Sequence, residues 1–245
     1  MGIFAPFSFL EVDVFDSDAQ AFIDAAALTD RIEKLAINQF VVQLKAQSLW
    51  TKMQLIYPLI GGTSTTMKWN LKDPRDLNAA YRATFVNGGT FSDSGYTTNG
   101  TSNYLNTNMI GTAIGTGAGD FHLSIYADGL IGESGFDFGC RNNTQWLAGN
   151  LRNPNNQYNG RAFNNTNYSS AIDSQTQTQG FYSIGRTTTA NYRIGFDGAY
   201  VTGSEAVTAR PSYNLYFGGY NDYGTAGQFQ ARTYQTMTVG TGLTD

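Results

Sequence analysis

Cysteine, histidine and charge are all scarce in this chain of 245 residues. One cysteine, Cys140, allows no intrachain disulfide, and between glycine and aromatic neighbours it reads as a small buried residue. One histidine, His122, leaves Ser/His and Cys/His catalysis and His/Cys metal clusters without their usual material. Charged residues are 14% of the chain, against roughly 25% in an average soluble protein. All five lysines fall at or before Lys72, and the net charge is -4, so the clustered cations that phosphate backbones require are missing. No run of about 18 apolar residues is present to span a bilayer. The opening MGIFAPFSFLEVDVFD lacks the basic start and cleavage pattern of a secretory leader, so synthesis in a cytoplasm is expected.

What is abundant divides the chain in two. Of 28 glycines, 25 follow Lys72, in a stretch rich in Asn, Thr, Ser and Tyr. Residues 1–16 read as an extended apolar attachment arm, with Phe4, Phe7, Phe9 and Leu10 as its contact residues. Residues 17–78 read as a helical lead-in. Ser17 with Gln20 resembles a capping box opening a helix to Ala27, and Asp30 with Glu33 resembles one opening a helix to about Ser48. Ile32, Leu35, Ala36, Phe40, Val41 and Leu44 form the second helix's apolar face, expected to pack on a sheet, and Trp50, Met53, Ile56 and Tyr57 extend the pattern to Pro58.

From residue 79 to 245 the period is two. Segments 81–86, 104–110, 121–126, 181–184, 192–196, 213–217 and 232–239 read as strands. Asn87-Gly88 and Asp197-Gly198 are hairpin signals, because both central residues of a type I′ turn need positive φ. Residues 142–170 read as long exposed loops around one or two short strands, carrying little core. The pattern predicts a mainly β protein, an antiparallel β-sandwich with a short N-terminal helical segment.

The segments LWTKMQLIYPLIGGTSTTMKWNLKDPRD (49–76), LNAAYRATF (77–85), FHLSIYA (121–127), GFYSIGRTTTANYRIGFDGAYV (180–201) and NLYFGGYND (214–222) resemble, in order and spacing, a family of tailed-bacteriophage and prophage virion proteins. The resemblance covers residues 18–245. It implies a concanavalin-like, jelly-roll or laminin-G-like sandwich displayed outside the particle. It also implies virion proteins as partners through the arm, a homo-oligomer with a trimer favoured, and a host surface glycan as ligand of a tail-fibre or receptor-binding component. A purely architectural capsid or head-fibre role is the alternative. In the family a further helix begins at the final GLTD, where this sequence ends.

Other chemistries find little material in this sequence. Glu11-Val12-Asp13-Val14-Phe15-Asp16 resembles a glucan-hydrolase strand motif, but it ends in Asp and precedes the helices, and no enzymatic activity is expected. Gly111 to Gly119 lacks the Lys-Ser/Thr of a phosphate cradle and reads as a loop. In Phe121-His122-Leu123-Ser124-Ile125-Tyr126, alternation puts His122 on a hydrogen-bonded polar face. Loop carboxylates Asp120 and Asp128, with Asn221 and Asp222, are the calcium candidates, calcium being the one cofactor considered. Sugar rings stack their C–H faces on aromatics, which makes Trp146, Tyr220, Asn221, Asp222 and Tyr223 the carbohydrate-binding candidates.

Overall fold

A computed structural model describes residues 13–129, 132–164, 168–169, 178–207 and 209–243. The attachment residues Phe4, Phe7, Phe9 and Leu10 lie outside the described residues, as does Glu11. Three helices, α1 (Ser17–Ala25), α2 (Arg31–Ala46) and α3 (Ser64–Met67), precede most of the strands. The strands run β1 (Met53–Tyr57), β2 (Thr84–Val86), β3 (Thr90–Ser92), β4 (Gly95–Thr97), β5 (Tyr104–Ile110), β6 (Phe121–Asp128), β7 (Phe138–Asn142) and β8 (Gln145–Asn150). They continue with β9 (Asn159–Ala162), β10 (Tyr168–Ser169), β11 (Gln179–Arg186), β12 (Asn191–Phe196), β13 (Ala199–Ser204), β14 (Asn214–Phe217), β15 (Tyr220–Asp222), β16 (Thr225–Gly227) and β17 (Thr233–Gly240).

The helices start where side-chain carboxylates accept otherwise unpaired backbone N–H groups. Asp16, not Ser17, caps α1 by accepting the Asp18 N–H at 3.0 Å. Asp30 caps α2 through the Glu33 N–H at 2.9 Å, while the Glu33 carboxylate reaches the Gly61 N–H at 2.9 Å and ties the helix to the following turn. The buried stripe of α2 is Ile37, Val41 and Leu44, and Ile32 is 77% exposed, so the face is rotated from the one expected. That stripe packs on α1, Trp50, Met53, Ile56 and Leu71, in a small core of its own beside the sandwich.

Residues 53–57 are not helical. They form β1, which pairs with β17, Leu55 opposite Val239, so the lead-in contributes a strand to the sandwich. A short apolar run satisfies either period, and the edge of β17 beyond β4 supplies the hydrogen-bond partners that decide it. Asn70, from the WNLKDPRD segment, locks the junction. Its carbonyl oxygen accepts the Ile56 and Lys72 N–H groups at 2.9 and 3.1 Å, and its amide donates to the Gln54 and Ala80 carbonyls at 3.2 and 3.1 Å.

Two sheets face each other. The eight-stranded one runs β13-β12-β11-β6-β17-β4-β3, with β1 also on β17. The nine-stranded one runs β10-β9-β8-β7-β14-β5-β2, with β15 and β16 attached. Among the described residues, pairing is antiparallel except between β15 and β7. The fold is therefore a mainly β antiparallel sandwich with a short N-terminal helical segment. Period two sets its core: Phe121, Leu123 and Ile125 of β6 point inward against Phe138, Leu147 and Phe217, while His122 and Ser124 point outward.

A charge pair also crosses between the layers. Arg232, just before β17, and Asp137, just before β7, are fully buried, with Nε 3.1 Å from Oδ1. The Asp137 carboxylate also accepts from the Leu151 N–H at 2.7 Å and the Tyr234 hydroxyl at 3.0 Å.

Turns and loops depart from expectation in two places. Asp197 and Gly198 have φ of 43° and 85° and join β12 to β13 as a hairpin. Asn87 and Gly88 also have positive φ, but β2 and β3 belong to different sheets, so this turn is a crossover. Gly89, at φ 127°, turns the chain away where a Cβ would sit 2.4 Å from the Tyr96 ring. Residues 142–164 carry far more core than expected: Leu147, Leu151, Tyr158, Ala162 and Phe163 are buried there. Their aliphatic residues are few, but Leu147 and Ala162 face each other across β8 and β9 on the inward side.

Candidate functional site

Four of the five carbohydrate candidates meet on the outward face of the nine-stranded sheet. Register puts Trp146 of β8 opposite Arg141 of β7, and Ala148 opposite Arg161 of β9, so both arginines share Trp146's face. The Arg141 guanidinium carbon lies 4.2 Å and that of Arg161 3.9 Å from the indole centroid. Tyr220 stacks on Trp146 with centroids 5.3 Å apart and planes at 20°. Gly139 makes room for it, since a Cβ there would fall 2.5 Å from the tyrosine ring.

Parallel pairing of β15 with β7 sets Asp222 beside Arg141, and the two form a bidentate pair, Nη2 to Oδ2 being 2.8 Å. The Tyr223 hydroxyl donates to the Asn143 side-chain oxygen at 3.0 Å, and the indole N–H donates to the Asn143 carbonyl at 3.2 Å. Trp146 and Tyr220 thus have rings already engaged by protein groups. Tyr220 is 1% exposed and acts as a floor, while Tyr223 is 45% exposed.

Asn221 points the other way. Its amide donates to the Asn214 carbonyl and accepts the Gly224 N–H, both at 2.8 Å, and the side chain is buried, so it shapes the turn instead of offering a ligand contact.

The calcium candidates are also separated. Asp120 precedes and Asp128 ends the eight-residue β6, which places them about 25 Å apart at 3.3 Å per residue. Asp120 accepts the Gly242 N–H at 2.7 Å and the Thr116 hydroxyl, and Asp128 accepts the Gly129 N–H at 2.6 Å. Among the described residues no three metal-ligating His, Cys, Asp or Glu side chains converge. Asp13 and Asp16, from the hydrolase-like segment, pair with Arg31 and Lys45 and so anchor the helices.

Sequence reasoning missed a concavity on the outward face of the eight-stranded sheet. A groove of about 590 Å³ runs over β6, β11, β12 and β13. Its outward positions are Ser124, Phe181, Ser183, Asn191, Arg193 and Tyr200, and Gly185 and Gly195 keep its floor low. Phe181 and Tyr200 are 43% and 52% exposed. The Arg193 guanidinium lies 4.0 Å over the Tyr200 ring. The available signal was the alternation in FYSIGR and NYRIGF, where every second residue is small or polar beside an isolated aromatic.

His122 lies at one end of the groove, but it is buried and already bonded. Its Nδ1 is 2.6 Å from the Thr241 carbonyl and so donates, leaving Nε2 to accept from Thr238 Oγ1 at 3.2 Å, with Ser124 Oγ 2.6 Å from that hydroxyl. Burial holds the imidazole down to about 4, against a smaller opposing effect of the Thr241 carbonyl. Burial likewise pushes the Cys140 thiol far above its ordinary value, leaving no reactive thiolate.

No family model and no curated protein matches the chain. Solved structures do. A mutant of Trypanosoma rangeli sialidase displaying trans-sialidase activity is similar at 11% identity and a TM-score of 0.54 over 87% of this chain. Trypanosoma rangeli sialidase in complex with sialic acid is similar at 9% identity and a TM-score of 0.53 over 86% of this chain. The binding domain of Botulinum neurotoxin serotype D is similar at 11% identity and a TM-score of 0.51 over 81%. This chain spans 38%, 37% and 50% of those chains, respectively. At such identities the likeness establishes the sandwich fold alone.

Proposed function

We propose that this chain is a non-catalytic sandwich displayed on a tailed-phage or phage-derived particle, where it contacts a host surface glycan through the groove over β6, β11, β12 and β13. The observation that carries the glycan assignment is the groove's make-up. Two exposed aromatics, Phe181 and Tyr200, stand beside hydroxyl, amide and guanidinium groups over a glycine floor. That combination suits a sugar, whose C–H faces stack while its hydroxyls hydrogen-bond. No carboxylate lines the groove among the described residues, whereas glycoside hydrolysis in most families uses two, and this supports binding without cleavage. The virion placement rests on the resemblance carried by residues 18–245, with the arm as attachment to neighbouring virion proteins and a trimer as the oligomer.

A single groove of this size gives modest affinity, and many copies on one particle raise it by effective concentration, by roughly 10² to 10⁴. The test is a glycan array probed with a multivalent display of the full chain. Ser183→Trp, which fills the groove floor, and Tyr200→Ala, which removes one aromatic wall, are each expected to weaken the best signal about tenfold or more, equivalent to ~1.4 kcal/mol. Binding unaffected by either change, or no binding to any envelope polysaccharide, overturns the assignment.

A further inference from the structure

We propose that the outward face of β7, β8 and β9 is a second binding site, one that holds the carboxylate of an acidic saccharide on the Arg161 guanidinium. The two arginines flanking Trp146 differ in what they already hold. Arg141 is matched in a fork by Asp222, so that pair is neutral. The Arg161 guanidinium makes no hydrogen bond and no ion pair among the described residues, and its Nε is buried without a partner. It stacks on the indole, 3.9 Å away, which attracts a cation but accepts none of its N–H bonds in the plane of the guanidinium.

A guanidinium in this condition is preorganised for a planar anion, because stacking on the indole fixes the fork while its donors stay unused. The surroundings select the rest of the ligand. Tyr223 is 45% exposed, with its hydroxyl tied to Asn143 and its ring 5.4 Å from the Arg141 guanidinium, so the same face offers an apolar contact such as the carbon face of a pyranose. Asp222 adds a carboxylate next to Arg141, which disfavours polyanions. Burial also holds the Arg161 guanidinium below its ordinary value, and a bound anion relieves that strain on its charge. This face belongs to the opposite sheet from the groove, so the two sites stand or fall separately.

The experiment titrates the full chain with methyl β-D-glucuronide, its neutral match methyl β-D-glucoside, and sodium sulfate, following the Trp146 indole N–H by heteronuclear NMR. The glucuronide is expected to shift that resonance to saturation at roughly tenfold lower concentration than the glucoside. Arg161→Gln should abolish the difference, Arg161→Lys should retain part of it, and Ser183→Trp should leave it intact even as groove binding fails. No preference for the glucuronide, or a preference that survives Arg161→Gln in a chain with a native-like spectrum, overturns the proposal. Sulfate binding as tightly as the glucuronide overturns its saccharide half, since the site would then be an anion hole only.

Discussion

On the eight-stranded sheet the outward positions of β11 and β12 are Phe181, Ser183 and Gly185, then Asn191, Arg193 and Gly195; on the nine-stranded sheet those of β7, β8 and β15 are Gly139, Arg141, Trp146, Ala148, Tyr220 and Asp222. Both rows follow the same alternation and both include glycine. On the second face the space over Gly139 is filled by Tyr220, and the aromatic and charged groups are largely consumed by each other. On the first, nothing from the described chain covers the small residues, and a groove remains. An outward glycine in a strand therefore marks a place where something lies close to the backbone. Only the register of neighbouring strands tells whether that something is the protein's own ring or an open space for a ligand.

The largest expected effect comes from severing what holds the two faces in one molecule. Arg232 and Asp137 are fully buried and bridge the layers, and removing one leaves the other charged and unpaired in the core. Arg232→Met is expected to cost about 3 to 5 kcal/mol, read as a fall in the urea midpoint at pH 7. Both proposed glycan surfaces should weaken together under that change. A loss below about 1 kcal/mol would show that the pair is dispensable and that the two faces are held by apolar contact alone.

Acid should distinguish the faces, because a buried imidazole adjoins only the groove. His122 stays neutral in the fold down to about pH 4, while in the unfolded chain it takes up a proton below its ordinary value near 6.5. The unfolded state then binds more protons between those limits. The contribution of this group is constant above pH 6.5 and falls as pH drops toward 4, by on the order of 3 kcal/mol. The measurement is the urea midpoint at pH 7.5, 5.5 and 4.5. His122→Gln should flatten the profile in that window, and an equally steep profile in the variant would assign the slope to other groups.

Much of this architecture was legible in order of residues, and the part that was not has a common cause. β5, β6, β11, β12, β14 and β17 fall on or within two residues of the segments whose alternation predicted them, as does the Asp197-Gly198 hairpin. β1 was hidden because Met53 to Tyr57 is nearly all apolar, and only the edge of β17 decides its period. β8 and β9 were foreseen only as one or two short strands somewhere in 142–170, because their inward residues are few and separated by Asn, Gly and Arg. The candidate residues show the same limit. Trp146 and Tyr223 stood out as aromatics among Asn-rich turns, but Arg141 and Arg161 join them only through pairing across β7, β8 and β9. The groove was hidden for a similar reason, since its residues are ordinary strand positions until four strands are laid side by side.

The smallest change sharpens the comparison most. Asp222→Ala removes a partner that is about a third exposed, so the stability lost should be no more than about 1 kcal/mol. The same substitution frees Arg141, which already lies 4.2 Å from the Trp146 ring, and leaves that ring between two cations with no carboxylate nearby. If the face is a site for acidic saccharides, affinity for the glucuronide should rise about two- to fivefold, the equivalent of ~0.5 to 1 kcal/mol, while groove binding stays unchanged. If instead the aromatic and charged row is self-contained surface packing, the variant should lose a little stability and bind the glucuronide no better than the glucoside. The sign of that response separates a filled face from an occupied one, because only a ligand's charge would benefit from an acid's removal.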